Sequence, residues 1–581
     1  MSLQNELTVL LLLSAPLIAA VISLTGKFLK NNLYISLAFL LWLGTSLYAL
    51  AVSATPILDG HSLSYNLGGW AEPFGIQLSI DGLTWIATLT DILIGTAAWL
   101  ATRRYRRFGA VFYFFFFMAL FSLQGILCTR DIFNLFIWFE VLSLSSFLLI
   151  SYDRSTHSRL AAIRYLLISS LSIIFYLIGV WILYRLSGSL ALESIAAALP
   201  EQGAAGLSAA ASDGRSFDGA GAAGLALALI SVGILTRAAI VPFHTWLPDA
   251  HGAAPYPVSA LLSGFVIKAP MLAMWRIFEH LQFPGLMEGL VWLGGICALW
   301  GVAAAMVQND AKKLLGYHSV SQMGYILAAF AIGGPLGRSA ALFYIIAHAL
   351  FKSLLFLTIG HVTVRVGTRN VYKIRGLSRF FPLYTGAFLI GAAAISGVPL
   401  LAGFTGKVLV SKALHAHAAY YLLTAAGIGT AASFVKLSAV FFGKTSDLHI
   451  QALENSSPDH RASSRARLAP NAGVLLISLG CILMGVLPNQ IHHLLLMLLY
   501  GRVEVLAALP EVAQVTWYGP DSLIKALLTL VFGVIIAVFL LSTHGKQLSH
   551  RLREYQVGLD GSLRLLVSGS IAVLLFGLIV Y

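Results

Sequence analysis

The chain has 581 residues, of which 58% are apolar and only 10% are charged, and its mean hydropathy is +0.84. This composition lies far outside the range of soluble globular proteins and excludes that class. The formal net charge is +13, a value that would also suit binding to an acidic partner such as nucleic acid. The positions of the cations along the chain decide against that interpretation.

Apolar runs of about 20 residues, each long enough to cross ~30 Å of hydrocarbon, recur along the whole chain. They predict an all-α polytopic membrane protein with about 14 to 16 transmembrane helices. The candidate spans are 8–26, 33–52, 82–101, 110–128, 131–151, 163–186, 223–250, 256–279, 285–307, 313–333, 339–364, 383–415, 419–443, 470–488, 522–543 and 562–581. The first run has no basic start and no Ala-x-Ala cleavage site, so we expect a retained span and not a removed signal peptide.

Lysine and arginine are distributed unevenly between the two sets of connections. With an exterior N-terminus, most of the 37 Lys and Arg fall in cytoplasmic connections. Examples are Arg103, Arg104, Arg106 and Arg107; Arg154, Arg159 and Arg164; and Arg365, Arg369, Lys373, Arg375 and Arg379. The positive-inside rule then places both termini on the exterior. The excess of basic residues is explained by the orientation of the chain in the membrane, so no nucleic-acid partner is expected.

The longer connections predict no soluble domain. Residues 187–222 are rich in Gly, Ala and Ser and are typical of a flexible exterior connection. Residues 444–469 are polar and charged, which indicates a cytoplasmic loop. Residues 489–521 contain IHHLLLMLLYG, a pattern that favours an interfacial helix.

No motif for redox or nucleotide chemistry is present. Cys128, Cys297 and Cys481 stand alone in apolar segments without a Cys-x-x-Cys pair, so no iron–sulfur or zinc framework is expected. The Gly-x-Gly-x-x-Gly match at 219–224 ends a flexible loop and follows no strand, and no P-loop motif occurs. We expect no cofactor and no metal in this chain. Whether it serves an enzyme therefore depends on other chains that carry the chemistry.

Residues 231–270 place charges within an otherwise lipid-compatible segment. Arg237 lies deep in an apolar run, Pro242 and Pro248 are expected to break that helix, and Lys268 lies midway along the next. An ionisable side chain at bilayer depth costs roughly 3 kcal/mol or more. Non-helical backbone at that depth is tolerated only inside protein or beside a watery cavity. Ion translocation accounts for both features.

A second predicted break, SGVPLLAGFTGK, has Gly397, Pro399, Gly403 and Gly406. Interrupted spans in corresponding positions of two halves indicate an inverted-repeat transporter. We therefore predict two discontinuous helices and two inverted five-helix repeats. The predicted divisions are N-terminal helices at 1–109, repeats at 110–279 and 285–443, and C-terminal helices at 444–581.

Seven stretches along the chain carry a resemblance to a known family. They are LGGWAEPFGIQLSIDGLTW (67–85), FNLFIWFEVLSLSSFLLISYD (133–153), PFHTWLPDAH (242–251), PVSALLSGFVIK (257–268), QNDAKKLLGYHSVSQMGYIL (308–327), HALFKSLLFL (348–357) and SGVPLLAGFTGK (396–407). They resemble the antiporter-like proton-translocating subunits shared by respiratory complex I, membrane-bound hydrogenases and Mrp-type cation/proton antiporters. The first stretch is more similar to the D-type Mrp subunit and its hydrogenase relatives than to the largest complex I subunit.

The resemblance implies a set of site residues. Glu140 matches the fifth-span carboxylate, Lys268 the eighth-span lysine, and Lys407 the twelfth-span lysine. Lys352 matches the eleventh-span lysine, four residues after His348. Arg237 occupies the seventh-span position, where the family usually has lysine.

The departure at Arg237 matters because guanidinium cannot be deprotonated in proteins. Arg237 is therefore expected to be a fixed counter-charge to Glu140 and not a proton carrier.

Burial disfavours the charged form of a lysine, so Lys268, Lys352 and Lys407 could each exchange a proton near neutral pH. Movement of the Glu140–Arg237 pair would then push a proton along the row of lysines. Histidines can titrate nearby; the candidates are His244, His251, His318 and His348.

Simpler roles for these residues stay open. Glu140 could be a structural ion-pair partner, and Lys268 and Lys407 could extend to the interface. Arg276 and Lys436, nearer span ends, are expected to do so. The remaining alternatives are carbonyl satisfaction by His244 and His251, packing by His318, orientation charges at Lys312 and Lys313, and helix capping by Asp310.

The predicted function is that of a proton-translocating antiporter-like subunit in a multi-subunit ion-pumping complex of the complex I, hydrogenase or Mrp type. One alternative is a subunit of a Na⁺/H⁺ antiporter that an ion gradient alone drives; another is a non-pumping membrane anchor for a partner chain. The expected partners are other membrane subunits, protons or Na⁺, and the lipid bilayer. The expected location is the inner (plasma) membrane of a prokaryote.

Overall fold

Apolar helices form most of the structure, which is a computed structural model. It describes residues 2–29, 33–70, 74–103, 108–199, 220–281, 283–443, 464–502, 512, 514–553, 561, 564–565 and 568–569. The helices of the first half are α1 (Ser2–Leu29), α2 (Leu33–Leu58), α3 (Gly82–Thr102), α4 (Ala110–Cys128), α5 (Ile132–Ile150), α6 (Thr156–Ser187), α7 (Leu192–Ala198), α8 (Ala220–Arg237), α9 (Trp246–Ala253), α10 (Tyr256–Leu261) and α11 (Ala269–His280). A π-helical turn, Leu262–Val266, joins α10 to α11.

The second half continues the same architecture. Its helices are α12 (Pro284–Met306), α13 (Ala311–Ala331), α14 (Gly334–Val366), α15 (Pro382–Ser396), α16 (Ala402–Ala413), α17 (Ala419–Ser438), α18 (Ser464–Val486), α19 (Pro488–Tyr500), α20 (Pro520–Leu541) and α21 (Thr543–Arg553). Short 3₁₀ helices cover Leu67–Gly69, Ser151–Asp153, Phe243–Thr245 and Leu377–Arg379. The prediction of an all-α polytopic membrane protein is confirmed.

Within the described residues, eleven helices are long and apolar enough to cross a membrane. Of the other predicted spans, 223–250 and 383–415 are broken helices, while 313–333 and 419–443 are helices of lower hydropathy. The span 562–581 lies almost wholly outside the described residues, as do most of the predicted loops 187–222 and 444–469. The predicted interfacial segment forms the separate helix α19.

A small antiparallel hairpin precedes α3. Strand β1 (Leu63–Asn66) pairs with β2 (Gln77–Ile80), with Leu63 opposite Ile80 and Asn66 opposite Gln77. The sequence predicts no element here, because four-residue strands are too short to give a clear alternating pattern. The hairpin leads directly into Asp81, which caps the N-terminus of α3.

The first predicted discontinuity lies between α8 and α9. The helix stops at Arg237, Ala239 has a positive φ of 55°, and Pro242 lacks an N–H to continue the hydrogen bonds. The Trp246 indole bridges the break by donating to the Thr236 carbonyl at 2.9 Å. The prediction that Pro248 also breaks the helix is wrong: it lies in the first turn of α9, where a missing N–H is tolerated.

The second predicted discontinuity lies between α15 and α16. Gly397 ends α15 in the left-handed region at φ 86°, and Leu400 also has a positive φ. Gly403 permits the close return of the chain, since an added Cβ there would lie 1.8 Å from the Ala394 carbonyl oxygen. Both discontinuous helices are therefore present.

Each five-span block has its break in its fourth span, as expected. The first block contains α4, α5, α6, α8–α9 and α10–α11, and the second contains α12, α13, α14, α15–α16 and α17. The inverted relation between the two blocks and the four divisions of the chain stay predictions. Across the two blocks, the apolar windows of Tyr256–His280 and Gly334–Val366 are wholly buried, so these two segments form the centre of the molecule.

Candidate functional site

Glu140 and Arg237 form the ion pair that the sequence predicted. Arg237 Nη2 donates to Glu140 Oε1 at 2.7 Å, and Nη1 donates to the Phe139 carbonyl at 3.1 Å and to the Ser143 hydroxyl. The Arg237 side chain is 5% exposed, whereas that of Glu140 is 38% exposed. The guanidinium group is thus buried inside the protein, at the end of α8 where the helix breaks, and the carboxylate reaches the outer surface of α5.

Lys268 lies at the centre of the molecule. It follows the π-helical turn, is fully buried, and donates from Nζ to the carbonyl of Ser263 in that turn. A π-helical turn leaves backbone groups out of the regular pattern and is frequent at functional sites. An ammonium group in this position does not reach an interface, so the alternative of an interface-seeking Lys268 does not fit its burial.

Lys352 and His348 lie one turn apart on α14, and both are fully buried. Lys352 Nζ donates to the Leu315 carbonyl and lies 5.1 Å from the centre of the Phe356 ring. The same ring stacks on His251 at 4.3 Å between centroids. Phe356 therefore separates and positions a cation and an imidazole.

Lys407 lies beside the second break, between α15 and α16. Its Nζ donates to the Ile395 carbonyl at 2.8 Å, on the residue two before the second break, and lies 5.8 Å from the Tyr325 ring centre. Lys407 also lines a cavity of about 710 Å³ whose wall includes Lys412, Asp521 and Lys525. Lys407 therefore has an open space beside it.

Electrostatic contacts connect these groups in one row. The charges of Lys268 and Lys352 interact with each other, and both act on His348. His318 lies within range of Lys352 and Lys407. The structure therefore brings together most of the predicted residues: Lys268, His348, Lys352, His318 and Lys407. Glu140 and Arg237 share no hydrogen bond or ion pair with Lys268 in the described part of the chain.

Three histidines along the row have no hydrogen-bond partner within the described residues. They are His251, His318 and His348, and both ring nitrogens of each are buried. A neutral imidazole has one donor and one acceptor nitrogen, and a packing role would leave both unsatisfied. His251 is not a carbonyl-satisfying residue as one alternative held. It lies beside the row, within electrostatic range of Lys268 and Lys352.

His244 lies apart from the row, against a separate cavity. Its Nε2 accepts from the Trp300 indole at 3.3 Å. The cavity, of about 360 Å³, is also lined by Asp249, Lys313 and Arg164. Asp249 pairs with both cations, at 2.8 Å to Lys313 Nζ. His244 is therefore positioned between this charged cluster and the first break.

Several further charges serve the fold. Asp310 caps α13 by accepting from the Lys312 and Lys313 amides, as one alternative predicted. Arg276 and Lys436 were expected to extend to the interface, and that is wrong: they are 2% and 1% exposed. Each finds its partners inside, Arg276 at Asp81 and Lys436 at the carbonyls of Met306 and Gln308.

Asp81 joins three elements just outside the membrane-spanning part of α3. Arg276 pairs with both of its oxygens at 3.0 Å, Arg130 binds Oδ2 at 2.8 Å, and the Thr84 amide donates to Oδ1 at 2.8 Å. Burial by itself would raise the pKa of Asp81, but the two guanidinium groups outweigh it and hold that pKa well below its usual range. This cluster is not predictable from the sequence, because its members are far apart along the chain.

Comparison with known proteins agrees with this arrangement. Residues 129–433 match the family described as NADH:quinone oxidoreductase/Mrp antiporter, TM. The chain is 30% identical over 459 residues to NADH-quinone oxidoreductase subunit N of Desulforudis audaxviator, covering 76% of this chain and 88% of the relative. It is 26% identical to the D-type subunit of the Na⁺/H⁺ antiporter of Bacillus subtilis, covering 71% and 81%.

The same relationship is visible in three dimensions. A chain of the Mrp complex from Dietzia sp. superposes with a TM-score of 0.72 and 25% identity, covering 91% of this chain and all of that one. Together with the broken helices and the buried cations, the match over more than half of the sequence fixes the family. The chain belongs to the NADH:quinone oxidoreductase/Mrp antiporter transmembrane family.

Proposed function

We propose that this chain is a proton-translocating, antiporter-like subunit of a multi-subunit ion-pumping membrane complex. The observation that carries the proposal is the row of buried Lys268, His348, Lys352 and His318, which lies at the centre of a membrane protein and ends at the partly buried Lys407 beside a cavity. Such intramembrane ionisable groups are costly and typically mark an ion pathway.

A proton fits this row better than Na⁺. The groups of the row are amines and imidazoles, which bind and release protons but repel a metal cation when charged. Na⁺ is held by several oxygen ligands at once, like other hard cations. In the described residues the Lys268, Lys352 and Lys407 ammonium groups already occupy the nearby carbonyl oxygens of Ser263, Leu315 and Ile395.

The Glu140–Arg237 pair supplies the controlling charge. Arg237 stays protonated. Only a change in its distance from Glu140 and Lys268 can therefore alter the electrostatic potential at the lysines. Its position as the last residue of α8, next to the first break, supports a movable role. Roles for Glu140, Arg237 and His244 follow from this arrangement as parts of the proposal.

Glu140 also supports the assignment to a complex. A carboxylate midway along α5 with 38% of its side chain exposed would be costly against lipid. A neighbouring membrane protein of the complex would cover it. The name of the Desulforudis relative suggests a redox-driven complex and that of the Bacillus relative an ion-gradient-driven one, which keeps a subunit of a Na⁺/H⁺ antiporter as the second candidate.

We further place the chain in the plasma membrane of a prokaryote, with both termini exterior. Support comes from the described ends of the helices. Arg103 follows α3, Arg154 follows α5 and Lys373 follows α14, and helix alternation places all three on one side of the membrane.

The test is proton uptake into vesicles that contain the complex purified through a tag on this chain. We expect Lys268→Ala to abolish uptake while assembly is kept, because the variant removes the central carrier and an uncompensated buried cation. The matched control is Lys373→Ala, which removes an exposed cation outside the helices. Normal uptake by Lys268→Ala would refute proton translocation through the row, and uptake that requires Na⁺ would favour the second candidate.

A further inference from the structure

Asp91 is a buried carboxylic acid midway along α3 that the lysine row does not include. It is 0% exposed. Its Oδ2 accepts from Gln124 Nε2 of α4 at 3.1 Å. Its Oδ1 is also buried and meets no hydrogen-bond partner in the described part of the chain.

No cation pairs with this carboxyl group among the described residues. Among the side chains that the structure describes on the elements packed against α3, or at its own ends, the titratable ones are Tyr34 and Tyr48 of α2, Tyr113 and Cys128 of α4, Tyr256 of α10, Arg338, Tyr344, His348, Lys352, His361 and Arg365 of α14, Cys481 of α18, His492, His493 and Tyr500 of α19, and Asp81 and Arg103. None of them forms a hydrogen bond or ion pair with Asp91 in these residues. Asp81 and Arg103 lie about 15 Å or more along the helix from it.

The neighbouring amide is oriented by a third residue. The Thr88 hydroxyl donates to Gln124 Oε1 at 3.0 Å, which leaves the Gln124 amino group to face Asp91. Oδ2 is therefore the acceptor oxygen and Oδ1 is the oxygen left to carry a hydrogen. An ionised carboxylate without a cation is strongly disfavoured in such a site, so the neutral acid is the form that these contacts stabilise.

The next turn of α3 packs against the π-helical turn that precedes Lys268. Ile94, one turn along the same face of α3, packs on Gly264 of the π-helical turn before Lys268. A Cβ added at Gly264 would lie 2.7 Å from Ile94 Cγ2 and 2.3 Å from the hydroxyl of Ser353, the residue after Lys352. One packed contact thus joins α3 to the segments that hold both central lysines.

We propose that Asp91 is a further proton-storing group of this protein, with the proton on Oδ1 and with Gln124 and Thr88 as positioning residues. The proposal rests on proton translocation through the lysine row. Release moves the proton from Oδ1 to a neutral imidazole of the row and leaves a carboxylate, the form that is favoured while Lys268 and Lys352 are protonated. Rebinding restores the neutral acid when those lysines lose their charge.

The first test is infrared difference spectroscopy of the purified complex, which needs no transport. We expect a carbonyl band of a protonated carboxylic acid near neutral pH that shifts in D₂O, disappears in Asp91→Asn and vanishes reversibly at high pH. Asp59→Asn, which alters an exposed acid after α2, should keep the band. A wild-type spectrum without such a band, or a band that survives in Asp91→Asn, would overturn the proposal.

The second test compares proton uptake in the same vesicles. Asn keeps the shape of Asp and an oxygen that accepts from Gln124, so a purely structural role predicts normal uptake by Asp91→Asn. Proton storage instead predicts a loss of about 100-fold with unchanged assembly. If Asp91→Asn transports normally while Lys268→Ala does not, Asp91 is excluded and translocation through the lysines stands. If both transport normally, the proposed function fails as well.

Discussion

At the scale of single residues, Arg237 differs from the other cations of the site in that it cannot release its proton. It makes contacts that a lysine can only partly replace, since its two Nη atoms bind Glu140, Ser143 and the Phe139 carbonyl. The proposed role requires a permanent positive charge and not a proton carrier. Substitutions at this position therefore separate charge from proton exchange.

We expect Arg237→Lys to keep much of the proton uptake and Arg237→Ala to lose most of it. The lysine preserves the cation beside Glu140, whereas alanine leaves the carboxylate without a partner. Removing one side of a buried pair costs roughly 3–5 kcal/mol, and less is expected here because Glu140 is partly exposed. The measurement is uptake in vesicles beside Glu140→Gln. Near-normal uptake by Arg237→Ala would remove the pair from the mechanism.

The opposite substitution is informative at Lys407. This lysine lies beside a cavity of about 710 Å³, so a guanidinium group has space there. We expect Lys407→Arg to assemble normally and to lose proton uptake, because the arginine keeps the charge but cannot be deprotonated. Uptake at the wild-type rate would show that Lys407 acts only through its charge, as Arg237 does.

At the scale of helices, the second break depends on a close approach between α15 and α16. Gly403 allows it, because the added Cβ of any other residue would meet the Ala394 carbonyl oxygen at 1.8 Å. Gly386, within α15 itself, has open space around its Cα. The two glycines therefore provide a matched pair for testing what the break requires.

We expect Gly403→Ala to destabilise the protein by about 2 kcal/mol through overpacking, and to reduce uptake by displacing Lys407. Gly386→Ala should be neutral or stabilise by about 0.5 kcal/mol, since alanine favours the helix. Thermal unfolding of both variants in detergent measures the difference. Equal stability of the two would show that the backbone at the break adapts without cost.

At the scale of the whole molecule, the cation clusters predict how the chain sits in the membrane. The three native cysteines are all buried, so a thiol reagent that cannot cross membranes should find little background. We expect His61→Cys, after α2, to be labelled in intact cells and Lys373→Cys, after α14, to be labelled only after the membrane is opened. The reverse pattern would invert the proposed orientation and leave the fold unchanged.

The sequence by itself determined the features that depend on neighbouring residues. Runs of apolar side chains predicted the spans, and Pro242 and Gly397 marked both breaks, because a missing N–H or a left-handed conformation acts within one turn. The local rule failed at Pro248, which starts α9. The sequence also nominated Lys268, Lys352 and Lys407, because any charge at bilayer depth is unusual; Asp91 satisfied the same rule and was overlooked.

Only the tertiary structure decided which of these charges meet. Asp81 collects Arg130 and Arg276 from 49 and 195 residues away. His318 comes within electrostatic range of Lys407, and Asp91 accepts a hydrogen bond from Gln124, in the same manner. Burial was also decided by the tertiary structure. Arg276 and Lys436 lie near span ends, yet other helices enclose them. Charge interactions and burial depend on distances in space, and those distances are fixed by how the helices pack and not by the order of residues along any one of them.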